Sequence, residues 1–109
     1  MRLGECRSRA GDHAAAVADF GTAIELDPAS APLHKNRGVA RLAAGDADGA
    51  LADLSEAIRL DPDYADAYHR RGRARRALGD IGGSLVDIAE ALRLDPNAVD
   101  ESAEGIGTP

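Results

Sequence analysis

The sequence predicts an all-α solenoid of three stacked helical hairpins. Two series of dipeptides predict it first: Asp-Pro at Asp27-Pro28, Asp61-Pro62 and Asp95-Pro96, and Gly-Asp at Gly11-Asp12, Gly45-Asp46 and Gly79-Asp80, both advancing by one constant step. Residues 31–64 and 65–98 are identical at roughly half their positions, so the period is a repeat of structure and not of punctuation alone. Composition is the third observation. Aromatics make up 3% of the 109 residues, with two Tyr, one Phe and no Trp. A sandwich or barrel calls for more aromatic and β-branched residues than this.

Each unit reads as two helices. In the first unit, residues 1–10 form the first helix, Gly11 stops it and Asp12 caps the second. In the second unit, residues 33–44 lack Pro and are rich in Ala, Leu and Arg, all good helix formers. Gly45 supplies the left-handed stop, and Asp46 accepts from the backbone N–H groups that open the next helix. That helix runs to Leu60, with Leu51, Leu54, Ala57 and Ile58 on one face at a spacing of three and four. Asp61-Pro62 closes it, because the residue before Pro avoids the α region. The third unit repeats this over residues 67–78, Gly79-Asp80 and a second helix ending at Leu94. Gly82-Gly83-Ser84 carries a propensity penalty of roughly 2 kcal/mol against Ala, so fraying is expected there. The polar, Gly-rich tail of residues 99–109 is expected to be disordered.

Further columns keep the period: Gly4, Gly38 and Gly72; Ala16 and Ala50, with Ser84 in the third place; Ala23, Ala57 and Ala91; Phe20, Leu54 and Ile88. A helix–turn–helix unit of this period with these columns resembles the tetratricopeptide repeat, over residues 1–98 divided as 1–30, 31–64 and 65–98. The first unit lacks the opening four positions of the family unit. The first helices depart from the pattern. His34 and Tyr68 stand in the aromatic column, Arg37 and Arg71 in the Leu column, and Arg7, Arg41 and Arg75 in the column that usually holds Tyr. The resemblance implies a right-handed α-α superhelix whose first helices line a concave groove, and a protein–protein interaction module as its function.

Charge is unevenly placed. The net charge is −6, yet the first-helix segments 1–10, 31–44 and 65–78 carry +2, +3 and +4. The family geometry would turn Arg2, Glu5 and Arg9, then Lys35, Asn36 and Val39, then Asp66, His69, Arg70, Arg73 and Arg76 into the groove. The expected ligand is therefore an acidic or carboxylate-ended peptide, with Lys35, Asn36, His69, Arg70, Arg73 and Arg76 as contacts. Some relatives hold a chaperone's C-terminal carboxylate in a five-residue clamp. Asn36 and Arg70 match it, but its other places fall on Met1, Glu5 and Asp66, so the full clamp is not expected. Arg37 precedes Asp53 in the facing helix by the same interval at which Arg71 precedes Asp87, which predicts ion pairs Arg37–Asp53 and Arg71–Asp87. Asp19 faces Leu3 instead, leaving Arg37 as a candidate partner.

No residues assemble into a catalytic site, so the chain is not expected to be an enzyme or to hold a cofactor. Cys6 reads as a small buried thiol, and a single cysteine excludes an internal disulfide and fits a reducing, cytoplasmic setting. His13, His34 and His69 are too scattered for a zinc motif, and no loop has the oxygen-ligand spacing of a calcium site. Nucleic acid is disfavoured by the acidic balance and by the lack of stacking residues near Arg70–Arg76 other than Tyr68. No apolar run approaches the ~18 residues of a membrane span, and MRLGECRSRAGD has no signal-like apolar segment. Leu85, Ile88 and Leu92 on the last helix would lie uncovered, which offers two alternative roles: homo-oligomerisation by stacking of terminal repeats, or a regulatory fragment of a larger multidomain protein.

Overall fold

A computed structural model describes residues 2–97, and side chains from Asp12 onward. Five α-helices follow one another: α1 (Arg2–Leu26), α2 (Ala31–Ala43), α3 (Ala47–Leu60), α4 (Ala65–Ala77) and α5 (Ile81–Leu94). Among the described residues there is no strand. Each helix packs on the next, and α2 also touches α4, so the chain advances as a stack in which first helices lie beside first helices. The tail of residues 99–109, the Cys6 thiol and the side chains of Arg2, Glu5 and Arg9 lie outside what is described.

The punctuation works as the residue chemistry demands. Gly45 and Gly79 have φ of +93° and +90°, a region that costs other L-residues roughly 1–2 kcal/mol. The following N–H groups of Asp46 and Asp80 turn back to the carbonyls of Arg41 and Arg75, both at 2.8 Å. The carboxylates of Asp46 and Asp80 then accept from the N–H of Gly49 and Gly83, each at 2.9 Å, and so start α3 and α5. At the other end, Asp61 and Asp95 leave the helical backbone before their prolines and stop both helices. Despite its glycines, α5 is helical from Ile81, because the Asp80 cap secures the turn in which they sit.

The first unit departs from the expected hairpin. No turn forms at Gly11-Asp12, and α1 continues through it for 25 residues. A hairpin forms when its two arms close on each other. In the second and third units an arginine of the first arm closes on an aspartate of the second; in the sequence of the first unit the matching place is Leu3. Keeping Gly inside a helix costs roughly 0.5–1 kcal/mol, which the uninterrupted backbone hydrogen bonds offset.

The core is built from small residues. Ala50, Ala57, Ala67, Ala74 and Ala91 have no exposed surface, and among the described residues Leu54 is the only large apolar side chain buried as completely. Helices can approach closely where alanine and glycine meet. A Cβ on Gly38 would lie 2.9 Å from Leu54 Cγ and 3.2 Å from the Ala50 carbonyl oxygen. At the start of α5, by contrast, a Cβ on Gly82 would meet nothing within 4 Å. Urea denaturation should therefore show Gly38→Ala less stable by about 1–3 kcal/mol. Gly82→Ala should be more stable by up to about 1 kcal/mol, because it removes only a propensity penalty.

Candidate functional site: a cationic groove on a layer of buried aspartates

The first helices carry arginines where a solenoid core would take apolar residues, and the second helices answer with carboxylates. Asp53 is 4% exposed and Asp87 is 2% exposed. A carboxylate removed from water this far must be met by charge and hydrogen bonds. Arg37 supplies both in a fork, Nε to Oδ2 at 3.0 Å and Nη2 to Oδ1 at 2.8 Å. Arg71 grips Asp87 the same way, with both bonds at 2.9 Å. Each carboxylate has a second cation. Arg41 Nη1 reaches Asp53 at 3.1 Å, and Arg75 Nε lies 3.4 Å from Asp87. The hydrogen bond to Asp53 raises the pKa of Arg37 against the lowering effect of burial, so the guanidinium stays charged. Arg71 Nη1 also donates to Ser55 Oγ at 3.3 Å, linking consecutive units, and its guanidinium lies over the Tyr68 ring, 5.6 Å from the centroid.

The part played by Arg41 and Arg75 is what reading the sequence missed. The signal was available: each follows its partner arginine by one helical turn and so points the same way. Asp19 does not join this layer. It is exposed, and Arg37 spends its fork on Asp53.

The groove lies between α2 and α4. A cavity of about 350 Å³ is lined by Val39, Leu42 and Ala43 of α2 and by Arg70 and Arg73 of α4. It has an apolar floor and a cationic wall. Arg73 and Arg76 are exposed, and neither forms an ion pair among the described residues. Lys35 and Arg70 are engaged: Lys35 Nζ is 3.0 Å and Arg70 Nε 3.3 Å from the carboxylate of Asp66. Burial pushes the Asp66 carboxyl up, but the hydrogen bond from Lys35 and the charges of Lys35, Arg70 and His69 outweigh it, leaving the pKa below its ordinary value. Asn36 is half-buried on α2, outside the cavity lining. Arg76 sits one turn past Arg73, towards the end of α4.

One expected contact is corrected. His69 is 4% exposed and is not among the residues that line the cavity. It precedes Gly72 by three positions and shares its face, which packs closely on Ile88 and the Ser84 carbonyl of α5. His34 is also buried, with Nε2 at 3.0 Å from the carbonyl oxygen of Pro28. Among the described residues no group of three or more His, Cys, Asp or Glu side chains could hold a metal ion, and no helix is long and apolar enough to cross a membrane. The outer face of α5 leaves Leu85 and Val86 63% and 66% exposed.

Stacked helix pairs with a groove along their first helices define a helical-repeat module for protein interaction. Residues 1–30 and 65–98 match the family profile described as Tetratricopeptide repeat, and residues 40–79 match the one described as TPR repeat. The chain belongs to the tetratricopeptide repeat family. It is similar to the first TPR of Spaghetti (RPAP3) bound to the HSP90 peptide SRMEEVD, at 26% identity and a TM-score of 0.79, covering 98% of this chain and 90% of that one. It is also similar to the second TPR of Spaghetti (RPAP3) bound to the same peptide, at 32% identity and a TM-score of 0.76, covering 86% and 87%. The second TPR domain of human RPAP3 in complex with the HSP70 peptide SGPTIEEVD matches at 32% identity and a TM-score of 0.78, covering 94% and 88%. No curated protein matches the chain.

Removing a buried carboxylate here strands two guanidinium groups. Asp87→Ala should lose about 3 kcal/mol, the low end for a broken buried pair because Arg71 and Arg75 can still reach water. Thermal denaturation checks this: a loss of that size lowers the melting temperature by more than roughly 10 °C in a domain this small.

Proposed function

We propose that the chain is a peptide-binding module that takes an extended acidic or carboxylate-ended segment into the groove between α2 and α4. The observation that carries this reading is the cavity itself, with Val39, Leu42 and Ala43 as an apolar floor and Arg70 and Arg73 as its cationic wall. An extended segment would lay alternate side chains on that floor while its carboxylates meet the guanidinium groups, which can fork onto a carboxylate. Arg73 and Arg76, free of partners among the described residues, bring an attraction that no internal ion pair offsets.

Similarity supports the same reading. The three similar structures hold peptides ending in Glu-Glu-Val-Asp. By the family resemblance Asn36 and Arg70 stand at clamp positions and another falls on Asp66, which would oppose a carboxylate, so recognition depends on Arg73 and Arg76 in place of the full five-residue clamp.

Titration of fluorescent SRMEEVD into the full chain, followed by anisotropy, tests the proposal. Binding should weaken as salt rises. Arg73→Glu should lower affinity at least about tenfold, the effect of losing one charge-assisted contact and adding repulsion. Binding that ignores both salt and the charge at position 73 would contradict it.

A further inference from the structure

The three cations Arg70, Arg73 and Arg76 of α4 are not equivalent, and Arg70 and Arg73 are the two that line the cavity. Arg70, Arg73 and Arg76 step by three, so Arg73 and Arg76 lie roughly 4.5 and 9 Å beyond Arg70 along the axis. At the near end, Asp66 offers one carboxylate oxygen to Arg70 Nε and the other to Lys35 Nζ across from α2. Arg73 and Arg76, further along, form no ion pair among the described residues.

The equivalent place in the preceding unit holds Pro32, where Ser30 caps the start of α2. α4 has no side-chain cap, and Asp66 is the acidic residue of its first turn without accepting a capping bond. Its acceptor capacity goes to the two cations that face the groove from neighbouring helices.

We propose that Asp66 is a built-in competitor for the ligand's carboxylate, closing the Lys35–Arg70 end of the groove so that a peptide's acidic end is read by Arg73 and Arg76. This rests on the peptide-binding reading above. Lys35, Asp66 and Arg70 together carry +1, and a ligand carboxylate at that end must either displace Asp66 or sit against it. All three side chains are partly exposed, at 17%, 36% and 28%, so the competition is moderate and reversible.

The test is a titration of SRMEEVD into the full chain and its Asp66→Asn variant, each with and without Arg73→Glu. Asp66→Asn keeps the side-chain shape and removes the charge, and should bind about fivefold tighter, the value of freeing two partly exposed ion pairs. Arg73→Glu should weaken binding in the chain that keeps Asp66, and part of the loss should be recovered where Asp66→Asn has released Lys35 and Arg70. Asp66→Ser should behave as Asp66→Asn, and helical circular dichroism confirms that each variant is folded. Unchanged affinity in both Asp66 variants would overturn the inference. Weaker binding would overturn it too, making Asp66 an orienting partner of Arg70 and not a competitor. In either case, salt-sensitive and Arg73-dependent binding by the unaltered chain would leave the peptide-binding reading standing. Should no variant bind the peptide, the reading and the inference fall together.

Discussion

A buried aspartate held between two arginines is the constraint on which the rest of the structure depends. A tetratricopeptide hairpin usually closes on apolar side chains, and here that layer is ionic. Asp53 and Asp87 sit at 4% and 2% exposure, each met by a forked guanidinium and a second one beside it. Such an arrangement adds little net stability over an apolar layer of the same volume, but it tolerates no missing partner. It therefore acts more on register than on total stability. The fork requires the first and second helices to meet at one relative height, and the alanine and glycine contacts around it let them meet closely.

The same layer carries an excess of charge. Two arginines per aspartate leave one positive charge in excess in each of the two hairpins. The acidic residues of a chain of net charge −6 are concentrated in the second helices, loops and tail, while Arg70 and Arg73 line the cavity between α2 and α4. The i,i+3 pairs of Arg59 with Glu56 and Arg93 with Glu90 lie on the outer sides of second helices, where both arginines are exposed, and contribute little to stability.

Much of this was legible in the residues. The constant step between units located both left-handed glycines, both of their aspartate caps and all three Asp-Pro stops, because each is a local backbone event decided by one or two residues. The interval from Arg37 to Asp53 spans a hairpin of known turn, so their meeting across it could be read too. Other features depend on more than local sequence. Gly11-Asp12 is identical to Gly45-Asp46, yet only the latter turns, so the dipeptide by itself does not decide whether a hairpin forms. His69 and Arg70 are neighbours, and a rotation of about 100° between them buries one and leaves the other lining the cavity. The engagement of Asp66 with Lys35 joins two different units, and no spacing within one repeat shows it.

Arg71 and Asp87 are, on these grounds, mutually dependent members of an ionic core layer. A double-mutant cycle of Arg71→Ala, Asp87→Ala and the combined variant, measured by urea denaturation, tests that dependence most directly. The expected coupling energy is about 1.5–3 kcal/mol, with the combined variant less damaged than the two single losses added together. A coupling near zero, with each substitution acting alone, would contradict it.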